Sequence, residues 1–245
     1  MANRAQIGAG RGAGAPVADR DSPPLHWREH RDGVWPPAWR FGSAVLCAAV
    51  PTLYRTRVAG RAHLPESGGL LVIANHVHDI DPPFLAWAVR PRPLQYVAAA
   101  HNFTRPWLGH LIAALGAFPL RTDRPDIASI RHAQRQLELG RTVLIFPEGR
   151  PSYGGPIGPF LAGAGLLALA RGVRVVPAAI GGTDHVVGGS RLPTRRGPVR
   201  IAFGAPVRVP AHGARRARAT AVLDEARAAV IRLHAGLGGH DAHDR

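Results

Sequence analysis

Apolar and polar positions alternate in blocks along most of this chain, and the block lengths suggest two kinds of element. Short apolar runs bounded by glycine, proline or charge predict buried strands: LLVIAN (70–75), LQYVAA (94–99), AFPL (117–120), TVLIF (142–146), VRVVPAAI (173–180) and VRIAF (199–203). Between them lie longer segments that read as helices: Asp81 to Arg90, Pro106 to Leu115, Ile127 to Leu139, Phe160 to Ala170 and Ala214 to His234. Asp81-Pro82-Pro83 reads as an N-cap followed by prolines in the first turn, and Gly116, Gly140 and Gly172 stand at helix stops. Strands alternating with helices predict an α/β fold: one layered domain with a mixed, largely parallel sheet flanked by helices. The expected boundaries are a disordered tail over 1–24, a helical segment over 25–55, the folded domain over 56–235 and a polar tail over 236–245.

The segment FGSAVLCAAVPTLY (41–54) carries no charge and is flanked by Trp27, Trp35, Trp39, Arg28, Arg31, Arg40, Arg55 and Arg57. It is shorter than the roughly 18–20 apolar residues of a spanning helix, and Pro51 predicts a kink. Aromatic and arginine flanks suit a helix lying in the headgroup region of a bilayer, while burial against the folded domain is the other open reading. The N-terminus lacks the apolar core of a signal peptide. These features predict a protein at the cytoplasmic face of a membrane, peripheral or monotopic.

Composition narrows the partners. The formal net charge is +15 and every basic side chain is arginine, which favours anionic partners: phospholipid surfaces, phosphorylated or CoA-type substrates, or nucleic acid. Arg191, Arg195, Arg196, Arg200, Arg215, Arg216 and Arg218 form basic stretches, but no nucleic-acid-binding signature accompanies them, so no nucleic acid is expected. The single cysteine, Cys47, reads as a small apolar residue and allows neither an intrachain disulfide nor a cysteine-based zinc site.

Reactive side chains are densest in NHVHDIDPP (75–83), where a buried strand leaves its carboxyl end and enters a helix. Crevices form there in open α/β sheets. The turn is short enough for His76 and Asp81 to meet. A carboxylate on one imidazole nitrogen fixes the tautomer and leaves the other as a base, which suits a reaction whose nucleophile is the substrate's own hydroxyl. A metal site built from His76, His78, Asp79 and Asp81 is the sharper rival, although the spacing departs from the usual H-x-H-x-D-H arrangement; no metal is expected. A second cluster, FPEGRPS (146–152), follows the strand TVLIF and places Glu148, Gly149 and Arg150 at a neighbouring carboxyl end.

Together these blocks resemble the glycerophosphate and lysophosphatidate acyltransferase family, of the 1-acylglycerol-3-phosphate O-acyltransferase kind. NHVHDID is similar to its N-H-x4-D block, GAFPLRTDR to its second, FPEG to its third and VVPAAI to its fourth, in matching order over about 56–206. The resemblance implies a membrane-associated enzyme of phospholipid biosynthesis whose folded domain is the acyltransferase domain. His76 would be the general base oriented by Asp81. Arg121 and Arg124 would bind the acceptor phosphate, while Glu148, Gly149 and Arg150 would shape the acceptor site and Pro177 the acyl side. It implies no bound cofactor, an acyl donor that is acyl-CoA or acyl-carrier protein, and a phosphorylated lipid acceptor. The chain departs from the family pattern at Arg150-Pro151, where Thr-Arg is usual, at Thr122, where an arginine often stands, and at His78, where serine is common. A lipid-binding relative without catalysis, or a basic nucleic-acid-binding protein, is the alternative.

Overall fold

The computed structural model describes residues 36–104, 106–120, 126–187 and 197–237. The expected tails over 1–24 and 236–245 lie outside these residues, apart from the last turn of the final helix, as do Arg121 and Arg124.

The apolar runs form one seven-stranded sheet. Its strands are β1 (Arg57–Ala59), β2 (Gly69–Ala74), β3 (Leu94–Ala99), β4 (Ala117–Leu120), β5 (Thr142–Ile145), β6 (Val173–Gly181) and β7 (Arg200–Phe203), in the spatial order β1-β7-β6-β2-β5-β3-β4. All neighbouring pairs are parallel except β6 with β7. The mixed, largely parallel sheet expected from the pattern is present. The three-residue β1 was not foreseen, since RVA between arginines has no apolar run to mark it.

A parallel sheet must be covered on both faces, and the central strands are accordingly apolar throughout. Leu70, Val72 and Ala74 of β2 point into one core, with Val176, Ala178 and Ile180 of β6, Leu144 of β5, and Phe84 and Leu85 from α2 (Asp81–Ala88). Val50 of α1 (Pro36–Tyr54) joins the same layer, and Tyr54 meets Phe84 edge to face with ring centroids 5.3 Å apart. Leu71 and Ile73 point the other way, onto Ala133 and Leu137 of α4 (Ile127–Glu138) and Val222, Leu223 and Ala226 of α6 (Arg215–Leu237). The remaining helices, α3 (Pro106–Ala114) and the short α5 (Thr183–Val187), lie after β3 and β6.

Two expected elements differ. Residues 160–170 do not form an α-helix: the chain makes a 3₁₀ run over Ala162–Leu169. Gly163 and Gly165 weaken α-helix there, and Gly165 lies so close to α6 that a Cβ would sit 2.3 Å from the Ala219 carbonyl oxygen. Asp81 is also not an N-cap. Ile80 occupies that position, and Asp81 is the first helical residue. Pro82 and Pro83 bring no N–H for a cap to accept, so the Asp81 carboxylate turns back toward the preceding loop.

Because Gly165 sets the spacing of the 3₁₀ run against α6, Gly165→Ala should lower stability by about 1–3 kcal/mol, as overpacking does. Urea unfolding of the two proteins checks this; equal midpoints would mean the contact relaxes freely.

Candidate active site

Three adjacent strands, β6, β2 and β5, deliver the site from their carboxyl ends. After β2 the chain enters the His76–Asp81 loop, after β5 the Phe146–Tyr153 loop, and after β6 the turn to Thr183. Asn75 marks where β2 leaves the sheet. Its side chain replaces main chain, donating to the Ile180 carbonyl and accepting from the Ile180 N–H, both at 2.9 Å. The next residues are thereby released from the ladder.

His76 Nδ1 lies 2.9 Å from Asp81 Oδ2. The Asp81 side chain is fully buried, and that of His76 keeps 13% exposure, so one end of the imidazole still reaches the surface. Asp81 Oδ2 also accepts the amides of Val77 (2.7 Å) and His78 (3.0 Å), and Oδ1 accepts the Thr183 hydroxyl at 2.6 Å. A carboxylate surrounded by donors is held as an acceptor, which places the imidazole proton on Nδ1 and leaves the Nε2 lone pair free. The imidazole stacks on Phe146, with centroids 4.0 Å apart and planes 12° apart, so ring tilt is fixed as well.

Glu148 lies beside this pair. Its Oε1 accepts the His76 amide and its Oε2 the Gly158 amide, each at 2.8 Å. Two further main-chain bonds join the loops: Ser152 N–H to the His76 carbonyl (2.8 Å) and Tyr153 N–H to the Val77 carbonyl (2.9 Å). Gly149 has φ +72, a conformation that favours glycine, and Leu161 lies against it. Arg150 is exposed at the rim. Tyr153 is exposed too, edge-on to His78 with its hydroxyl 3.5 Å from Asp79.

The residues singled out from sequence therefore separate. His76, Asp81 and Glu148 converge, with Gly149 and Arg150 on the same loop. Pro177 lies instead within β6, opposite Ile73 of β2, and is buried. There the β6–β7 ladder is interrupted: it pairs Ala178 with Phe203, then Val175 with Val207, so β6 contributes two intervening residues and the other strand three. A proline, lacking a donor, is tolerated at such a break. Thr183 and Phe146 were not singled out. Phe146 had a visible signal as the last apolar residue before Glu148, whereas Thr183 had none.

Among the described residues, no group of three or more His, Cys, Asp or Glu side chains is placed to hold a metal ion. A cavity of about 540 Å³ opens at the opposite, amino ends of the strands, lined by Glu66, Arg92, Gln95 and Arg141 among others. Arg92 is engaged there as a clamp, donating to Thr142 Oγ1 and to the carbonyls of Pro65, Gly68 and Gly140. The His76–Asp81 pair lies at the opposite, carboxyl ends of the strands.

Known proteins resemble this chain in both sequence and fold. The chloroplastic 1-acyl-sn-glycerol-3-phosphate acyltransferase of Brassica napus is 28% identical over 158 residues, which make up 63% of this chain and 45% of that one. The lyso-ornithine lipid O-acyltransferase of Pseudomonas aeruginosa is 35% identical over 142 residues, 58% of this chain and 52% of that one. This chain thus spans about half the length of these curated relatives. The crystal structure of PlsC, the 1-acyl-sn-glycerophosphate (LPA) acyltransferase from Thermotoga maritima, shares the fold with a TM-score of 0.61 at 22% identity, covering 87% of this chain and 86% of that one. The family model described as Acyltransferase matches residues 55–181, from the start of the sheet through β2, β5 and β6 to the end of β6, and with more than half its length so matched the chain belongs to the acyltransferase family.

Proposed function

We propose that this chain moves a fatty acyl group from a thioester, acyl-CoA or acyl-carrier protein, onto a hydroxyl of a 1-acylglycerol-3-phosphate-like lipid. The observation that carries this reading is the 2.9 Å contact between His76 Nδ1 and a fully buried Asp81 carboxylate with donors on both oxygens, while the His76 side chain keeps 13% exposure. Family membership and the names of the relatives support the reaction class.

In this reading the acceptor hydroxyl gives its proton to His76 Nε2 as its oxygen attacks the thioester carbonyl. The carbon–oxygen bond forms, the carbon–sulfur bond breaks, and the imidazolium proton goes to the departing thiolate. No acyl-enzyme is needed, because the nucleophile belongs to the substrate. Asp81 keeps the imidazole in one tautomer and stabilises its charge during transfer. Glu148 acts through main chain in this reading: it holds the His76 amide rather than facing the acceptor. Arg121 and Arg124 remain the proposed phosphate ligands, since arginine offers a planar, bidentate donor pair. Arg150 and Gly149 are the proposed rim of the acceptor site, and Pro177 the proposed acyl side.

We also propose attachment to an anionic membrane surface. No helix among the described residues is long and apolar enough to cross a bilayer. Among the exposed large apolar residues, four form two pairs on two helices: Phe41 and Val45 on α1, Trp107 and Leu111 on α3. The helices meet where a Cβ on Gly42 would lie 2.8 Å from Leu115 Cδ2, so these pairs belong to one region of the surface. Each is an i, i+4 pair, the spacing of an apolar stripe, and the net charge of +15 complements anionic lipid.

Two experiments test these readings. With acyl-CoA and acyl-carrier-protein donors and a panel containing lysophosphatidate and lyso-ornithine lipid, thiol release should depend on the acceptor. His76→Ala should lower it about 10²- to 10⁴-fold with the fold retained. An unchanged rate in that variant would remove His76 as the base, and no release with any pair would favour a lipid-binding protein. In sedimentation with anionic vesicles, the double variant Phe41→Glu, Trp107→Glu should bind at least about tenfold more weakly. Equal binding would place the membrane contact elsewhere.

A further inference from the structure

Thr183 lies 102 residues from Asp81 in sequence and outside every motif discussed above, yet its hydroxyl donates to Asp81 Oδ1 at 2.6 Å. The residue has no exposed surface. The other three donors to this carboxylate, His76 Nδ1 and the amides of Val77 and His78, all reach Oδ2. Among the described residues, Thr183 is thus the donor found on Oδ1. Without it, one oxygen of a fully buried carboxylate would lack a partner, and the group could rotate about its Cβ–Cγ bond to seek one. Rotation would carry Oδ2 away from the imidazole.

The backbone is shaped to deliver this hydroxyl. β6 ends at Gly181, and Gly182 then adopts φ +91, a left-handed conformation, with the chain so close that a Cβ would sit 2.2 Å from the Pro198 carbonyl oxygen. Only glycine fits both conditions, and the turn aims the next residue at Asp81. Threonine's β-branch restricts χ1, so the hydroxyl is presented in few orientations.

We infer that Thr183 is a positioning residue for the His76–Asp81 pair: its hydroxyl locks the Asp81 carboxylate so that Oδ2 faces His76 Nδ1 and the base is held as the Nδ1–H tautomer. This rests on the reading of His76 as the general base. The hydroxyl acts through Asp81 and touches no substrate. It contributes at the reacting step rather than in binding, so its loss appears in kcat and leaves KM in place.

A pair of variants separates hydroxyl from bulk. Thr183→Val keeps the shape and removes the donor; Thr183→Ser keeps the donor and removes a methyl group. A hydrogen bond to a charged group gives the scale, so Thr183→Val should lower kcat about tenfold or more with KM within about twofold, while Thr183→Ser should stay near wild type. Nitrogen-15 spectra of histidine-labelled protein, with the His76 signals assigned by their loss in His76→Gln, supply a readout independent of turnover. The wild type and Thr183→Ser should show His76 held as the Nδ1–H tautomer, and Thr183→Val a mixture. Wild-type kcat with an unchanged tautomer in Thr183→Val would overturn the inference. So would a loss in Thr183→Ser as large as that in Thr183→Val, which would make the methyl group the active part. Should Thr183→Val not fold, Thr183→Ala, which also removes the donor, takes its place in both measurements, with the same outcomes supporting or overturning the inference. Full activity in His76→Ala would sink the general-base reading instead, while leaving the spectroscopic result to stand by itself.

Discussion

A carboxylate without solvent, Asp81, is the constraint around which the rest of the site is arranged. An ionised carboxyl group in a protein interior is costly unless each oxygen is supplied with donors. Here the donors come from the two central strands β2 and β6: the imidazole and two amides from the loop after one, a hydroxyl from the turn after the other. The need to satisfy one buried charge therefore couples two strand ends that are adjacent in space and about a hundred residues apart in the chain. The prolines after Asp81 matter to the same end. They leave the first turn of α2 with few amides to compete for the carboxylate, so it faces the histidine.

The neighbouring strand β5 completes the arrangement through Phe146 and Glu148, one beneath the imidazole plane and the other on its backbone amide. Three parallel strands thus fix the tilt, rotation and tautomer of one ring. At the far end of the same strands Arg92 ties loops together through carbonyl oxygens. The Arg92 clamp and the His76–Asp81 pair thus lie at opposite ends of the sheet, and this division is what parallel α/β architecture supplies, since the carboxyl ends of parallel strands emerge together.

The parts of this design that were legible in the sequence are those with local causes. Six of the seven strands declare themselves by apolar runs, β1 being the exception, and His76 with Asp81 by a five-residue spacing at a strand end. Glu148 was visible by position, but a sequence cannot show that a carboxylate addresses amides rather than ligand. The apolar residues of AGAGLLAL suggest a helix, whereas its two glycines are the better guide to a 3₁₀ run pressed against α6. Asp81 looked like a cap because Asp before Pro usually is one, and only tertiary partners reveal that it faces backward. Thr183 was invisible for the plainest reason. Its partner is fixed by sheet order, β6 beside β2, and sheet order is not a property of any window of residues.

The loop bearing Arg150 to Tyr153 is registered to the His76 loop by the amides of residues 152 and 153, which grip the carbonyls of His76 and Val77. Main-chain atoms are common to nearly all amino acids, so this registration places little demand on side-chain identity: proline is barred at 152 and 153, and the left-handed φ of +49 at 153 disfavours β-branched residues. Position 151 donates nothing to the seam and can itself be proline. The rim is therefore hung from a seam of main-chain bonds, and Arg150-Pro151, where the resembled pattern has Thr-Arg, is a change of vocabulary at the mouth of the loop that leaves the grammar of its attachment to His76 untouched.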